Sequence, residues 1–258
     1  MKIVVLVKQV PDTWDDRKLN ISTGLLERDA SEKIIDDVTE RALEVALTYK
    51  DGDKSTEVVA LSMGPASTTV ALRKALAAGA DSAVHILDDS LAGTDYGITA
   101  SVLATALTRI GFDLVIAGNE STDGRGGVVP AMIAEHLGLP HLSYLNSVEL
   151  TASGASGVRA GEDGTSTVHV TLPAVLSVTD RTPEARFPNF KGIMTAKKKP
   201  LEVLTLADLG VDASFPGISR SVVLSTAVRP GRTSGVKVVD EGNAAVELAE
   251  FLASQRLI

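Results

Sequence analysis

The stretch Val115–Gly138, VIAGNESTDGRGGVVPAMIAEHLG, decides the fold. It continues an aliphatic run, Leu114–Ala117, of the kind that forms a strand buried on both faces of a parallel sheet. Gly127–Leu137 then reads as a helix. Between them lie Gly118, Gly124, Gly126 and Gly127. Glycine admits positive φ and lets a ligand approach the backbone closely. The first amides of the following helix are free donors, and its dipole favours an anion. The loop also follows the carboxyl end of a predicted parallel strand, where open α/β sheets bind ligands. A phosphate group is the economical expectation, and a mobile turn without a ligand is the bland one. The spacing is neither Walker A nor G-x-G-x-x-G in its strand–turn–helix setting, so a mononucleotide fits better than the usual dinucleotide mode.

Outward from this stretch, strand and helix patterns alternate. Ile3–Val7, Glu57–Met63 and Ser82–Leu87 read as strands. Asp36–Lys50 has helical spacing, Pro65 and Gly79 bracket a second helix, and Thr94 or Asp95 caps a third that stops at Gly111. Such alternation predicts an α/β fold with an open, mostly parallel sheet. After Pro140 the pattern becomes apolar–polar alternation with glycine turns. It predicts an antiparallel hairpin addition ending in a buried strand, Ala174–Val178. Pro200–Arg232 shows little periodicity, and Glu241–Arg256 resembles an amphipathic helix. A tail of about 70 residues without a core of its own predicts an extended arm laid against something else.

Composition narrows the classes. The 258 residues are 44% hydrophobic but only 3% aromatic, so the core is built from Val, Leu, Ile and Ala. A net charge of −8 and a pI near 5.1 argue against nucleic acid. Without cysteine there are no disulfides, thiolate metal sites or cysteine nucleophiles. No apolar run approaches the roughly 20 residues that span a bilayer, and MKIVVLV is short for a leader; the expectation is a cytoplasmic, not membrane-embedded, protein. His85, His136, His141 and His169 lack metal-ligand spacing, no G-x-S-x-G elbow occurs, and the pairs Asp36–Asp37 and Asp88–Asp89 read as solvated caps. No catalytic acid, base, nucleophile or metal site is expected. Leu6–Gln9 and Ser62–Gly64 are further strand ends that could line the same crevice. Phe187, Phe190, Ile193 and Met194 follow no strand or helix period; exposed they would form a docking knob, buried they would anchor the arm. TAKKKP (Thr195–Pro200) is a positive spot on an acidic chain.

VLVKQVPD, ALSMGPASTTVALRKALAAGAD, AGNESTDGRGGVVPAMIAEHLGLP, LPAVLSVTDRTPEARFP, GIMTAKKKPLEV, DLGV and RTSGVKV occur in the order found in the β subunits of electron transfer flavoproteins. Nearly the whole chain resembles that family. The resemblance implies an adenine nucleotide α-hydrolase-like domain over 1–185, with a recognition loop and C-terminal arm over 186–258 that lies against an α subunit. It implies an electron carrier with FAD shared with, and held mainly by, α. AMP would be held structurally by Leu6, by Asp36, Asp37, Val38 and Thr39, by Met63, and by Asn119, Glu120, Ser121, Thr122, Asp123, Gly124, Arg125, Gly126, Gly127, Val128 and Val129. The phosphate would sit on the Asp123–Val129 amides. Phe190, Ile193 and Met194 would dock acyl-CoA dehydrogenases and related flavin dehydrogenases of fatty acid β-oxidation, with a membrane quinone reductase as acceptor. Phe190 stands where the family often has leucine, and Thr13 then Trp14 where it can carry a tyrosine near the flavin. Two alternatives remain at this stage: a bifurcating-type subunit with a second FAD in place of AMP, and a stand-alone adenine-nucleotide sensor.

Overall fold

Seven short aliphatic strands lie side by side, all parallel, in the order β12-β5-β4-β1-β6-β11-β7. They are β1 (Lys2–Leu6), β4 (Glu57–Met63), β5 (Ser82–Ile86), β6 (Leu114–Gly118), β7 (His141–Leu145), β11 (Ala174–Val178) and β12 (Leu201–Leu204). The computed structural model describes residues 1–212, 221–232, 234–235 and 237–258, so RTSGVKV lies partly outside the described residues. Contacts divide the chain into Met1–Leu224 and Ser225–Ile258.

Alternate residues of the central strands serve two different cores. On β1, Ile3 and Val5 face α1 (Asp37–Gly52) and α2 (Thr69–Ala78) through Leu43, Leu47, Leu72 and Leu76. Val4 faces the other layer, α3 (Tyr96–Ile110) and α4 (Val129–Leu137), through Ile98, Leu103, Leu107 and Ile133. Strands buried on both faces need apolar residues at every position, which is why the sequence runs read as continuous rather than alternating. The chain enters at β1, runs to β4 and β5 on one side, then returns to β6, β11 and β7 on the other. The order therefore reverses between β1 and β6, and the crevice opens there at the strands' carboxyl ends.

Smaller sheets complete the unit. β2 (Gln9–Pro11) pairs with β3 (Lys33–Ile35), and β8 (Ser147–Leu150), β9 (Gly154–Gly161) and β10 (Gly164–Thr171) form the expected antiparallel addition. Asp95 caps α3 by accepting from the Ile98 amide at 2.9 Å, and Gly111 ends it at φ +69°.

Three features depart from the sequence reading. His141–Leu145, expected among hairpins, pairs in parallel with β11. Leu201–Leu204, in a segment without evident period, is a parallel edge strand on β5, and Leu204 and Leu206 are core residues. An edge strand covered on one side needs few apolar residues, so its pattern is faint. Phe190–Ala196 is a helix, α5, capped by Asn189, whose side chain accepts from the Gly192 amide at 2.7 Å. In the second unit, α6 (Ala244–Ser254) forms inside the predicted helical span.

α5 is seated tightly on α2. A Cβ at Gly192 would run into the Ala77 carbonyl. Lys199 donates to the Leu76 and Ala80 carbonyls at 2.9 and 2.6 Å, and Arg73 to the Ala196 and Lys199 carbonyls at 2.8 and 3.0 Å. Gly192→Ala should therefore cost about 1–3 kcal/mol, read as a fall of several degrees in Tm. Gly52→Ala, in open space at the end of α1, should leave Tm unchanged or raise it. Equal Tm values for the two variants would contradict this seat.

Candidate functional site

The β6–α4 loop is fastened by the segment between β1 and α1. Asp123 is the pivot, its side chain 0% exposed. Lys8, two residues beyond β1, donates to its Oδ1 at 2.8 Å and to Ser121 Oγ at 3.1 Å. Arg28 lies 2.7 Å from Oδ2. Burial pushes the Asp123 carboxyl up, but Lys8, Ser121 and Arg28 outweigh it and hold the group well below the usual carboxylate range. Arg17 adds bonds to the Thr122 carbonyl and, at 3.2 Å, to its hydroxyl.

Asp36 makes the second fastening. Its Oδ1 caps α1 by accepting from the Val38 amide at 3.3 Å, and its Oδ2 accepts from the Thr122 amide at 2.8 Å and hydroxyl at 3.2 Å. The residue is fully buried, not the solvated cap expected from the sequence, and burial raises its carboxyl above the ordinary value. One carboxylate thus starts a helix and ties it to the loop. Val38 and Thr39 are buried behind it, Val38 packs within 3.1 Å of where a Gly118 Cβ would be, and Asp37 is paired with Arg41 at 3.3 Å.

What the loop presents is backbone. Gly127 has φ +66° and Val128 φ −116°. Such a change of sign turns successive amides toward one side, the arrangement of an anion-binding nest. Among the described residues, the amides of Gly127, Val128 and Val129 find no acceptor, and no side chain caps α4. These donors fit a phosphate. The glycines have separate reasons: only Gly127 of the four uses positive φ, joined unexpectedly by Arg125 at +48°, while Gly126 is bare because the Tyr96 ring stands where its Cβ would be.

Leu6 and Met63, the last residues of adjacent strands β1 and β4, are half-buried at the same sheet edge. Asn119 continues β6 by donating to the Val178 carbonyl at 2.8 Å, and Glu120 pairs with Arg125 at 3.2 Å. The fold thus gathers residues 6, 36–39, 63 and 119–129. It does not bring Phe190, Ile193 and Met194 to them. These are exposed on α5, Phe190 at 80%, beside the carboxyl end of α2 and so at the opposite, amino-terminal edge of the sheet. Exposed Lys191, Lys197 and Lys198 flank them. The segment leading in is held by Arg186, paired with Glu44 and Asp51, both at 2.8 Å. Trp14 is exposed on the excursion between β2 and β3. Among the described residues, no acidic or histidine cluster could hold a metal, and no helix is long and apolar enough to cross a membrane. His85 is buried, with its Nε2 2.9 Å from the Gly64 carbonyl. The sequence reading missed Arg17, Arg28, Tyr96 and Tyr144, which lie far along the chain from the loop and carry no motif; Lys8 lay in a segment it had marked.

Residues 23–209 match the electron transfer flavoprotein domain. The chain is 47% identical to electron transfer flavoprotein subunit beta of Mycobacterium bovis, covering 99% of both chains. It is 35% identical to the subunit beta of Thermoanaerobacterium thermosaccharolyticum over the full length of both. It is also 33% identical to the caffeyl-CoA reductase-Etf complex subunit CarD of Acetobacterium woodii, over 86% of this chain and 84% of that one.

The Asp123 pairing should appear in the pH dependence of stability. A carboxyl depressed in the folded state stabilises fully above its unfolded value, near 3.9, and loses that contribution as pH falls below it. The stability difference between the native protein and Asp123→Asn should be constant above about pH 5 and shrink below about pH 4. Denaturant unfolding from pH 3 to 7 measures it; a difference independent of pH would contradict the ion pair.

Proposed function

We infer the role of this chain from its kinship: it belongs to the electron transfer flavoprotein family, as a β subunit. It works in electron transfer with an α subunit and flavin. Beyond that, we propose that it holds AMP as a structural ligand between β1 and β6, supports an FAD held mainly by α, and presents α5 to flavin dehydrogenases. The observation that carries the nucleotide assignment is the row of acceptor-free amides at Gly127–Val129, clamped at the sheet's point of reversal.

Each part has a division of labour in this chain. The 127–129 amides would receive the phosphate. The ends of β1 and β4, at Leu6 and Met63, would meet the adenine with backbone groups. Asp36, Lys8, Arg17 and Arg28 bind loop rather than ligand and keep it from collapsing. FAD, when bound, supplies the electron-carrying chemistry. The segment 186–258 would supply the dehydrogenase-docking loop and the arm against α. Electron transfer falls steeply with distance, so a small, transient contact at Phe190, Ile193 and Met194 is sufficient if it brings two flavins close. The flanking lysines would steer an acidic partner surface. Acyl-CoA dehydrogenases are the proposed donors and a membrane quinone reductase the proposed acceptor, with the pair working in the cytoplasm. Similarity along the whole chain to β subunits favours a subunit over a stand-alone sensor.

Two measurements test this. Mass and absorbance of ligands released from the co-purified αβ pair should give one FAD and one AMP; two FADs would establish the bifurcating type, and no adenine nucleotide beyond one FAD would overturn the nucleotide role. Phe190→Ala should slow reduction by an acyl-CoA dehydrogenase roughly tenfold with FAD content unchanged; unaltered kinetics would remove α5 from docking.

A further inference from the structure

Two tyrosines hold the loop from outside. Tyr96, the first residue of α3, donates its hydroxyl to the Gly124 carbonyl at 2.9 Å. Its ring fills the place of a Gly126 Cβ. Tyr144, in β7, donates to the Gly127 carbonyl at 3.3 Å, and its hydroxyl fills the place of a Gly127 Cβ. Both are half-exposed, so core packing does not account for them. Tyr144 is also held at φ +57°, a region bulky residues avoid. It stands where the register of β7 on β11 shifts, its amide turned to Ser177 Oγ at 3.1 Å instead of continuing the ladder. The irregular strand aims this ring at the loop.

A trans peptide carries its carbonyl and its N–H on opposite sides. Fixing the Gly127 carbonyl toward Tyr144 therefore fixes the Val128 amide away from it, and that amide is one of those without an acceptor. Fixing the Gly124 carbonyl toward Tyr96 fixes the Arg125 amide inward, where it donates to the Ser121 carbonyl at 2.9 Å. The Tyr144 hydroxyl occupies a carbonyl oxygen that would otherwise be free to turn toward an anion and repel it, and the Tyr96 hydroxyl seconds the Arg125–Ser121 bond in holding the other outward. We propose that Tyr144 and Tyr96 are positioning residues that make the cradle selective for a phosphorylated adenosine over adenosine itself. This rests on the adenine-nucleotide reading of the site.

The test uses the αβ heterodimer, stripped of nucleotide and titrated calorimetrically with AMP and with adenosine. Tyr144→Phe keeps the ring and removes only the donor. It should weaken AMP roughly three- to tenfold, the worth of one neutral hydrogen bond, and leave adenosine affinity and FAD content unchanged. Tyr96→Phe should show the same selective loss and tests the claim independently if Tyr144→Phe assembles poorly. Unchanged AMP affinity in both variants, or AMP and adenosine weakening together, would overturn the proposal. A native heterodimer that binds neither compound would instead overturn the nucleotide reading, and the proposal with it.

Discussion

Burying the Asp123 carboxylate is the constraint on which the candidate site depends. A lone charge at that depth is too costly to persist, so its neighbours are dictated: Lys8 on one oxygen and Arg28 on the other. Lys8 comes from the start of the excursion between β1 and α1 and Arg28 from its later half, and Asp36 at the end of that excursion reaches back to Thr122. The result is a loop whose Thr122 and Asp123 are engaged with the neighbouring segment and which presents acceptor-free amides at Gly127, Val128 and Val129. Removing either cation would leave the carboxylate incompletely paired, which is why the clamp acts as a unit rather than as separate bonds.

The same sheet separates two roles. The proposed nucleotide site gathers at the carboxyl ends of β1, β4 and β6, where the strand order reverses. The exposed apolar face of α5 stands at the other end of the strands, about 20 Å away for strands of this length. A nucleotide held at one edge, as proposed, would therefore be remote from a partner docked at the other. That arrangement suits a structural ligand better than one in the path of electrons. The seat of α5 on α2, through Gly192 and Lys199, holds the apolar residues outward instead of letting them collapse onto the core.

Much of the fold was legible in the sequence because strands buried on both faces are written as uninterrupted aliphatic runs. Glu57–Met63 and Ala174–Val178 are strands over the expected residues, and Gly79 and Gly111 end helices as expected. Leu201–Leu204 was not legible, since an edge strand with two exposed residues leaves little pattern. α5 was hidden because its apolar residues face outward and supply no period against a core. In the site, the loop declared itself by its glycines, but their reasons did not. Gly126 is dictated by a ring thirty residues back, and Arg125 takes the positive φ that glycine seemed reserved for. Contacts between distant segments, such as Arg28 to Asp123 or Tyr144 to Gly127, are set by topology and have no local signature.

The most direct measurement is a crystal structure of the αβ pair with its bound nucleotide. The account predicts phosphate oxygens about 2.7–3.2 Å from the amide nitrogens of Gly127, Val128 and Val129, with Asp123 still between Lys8 and Arg28. A phosphate bound instead by Lys8 or Arg28, with Asp123 released, would contradict it.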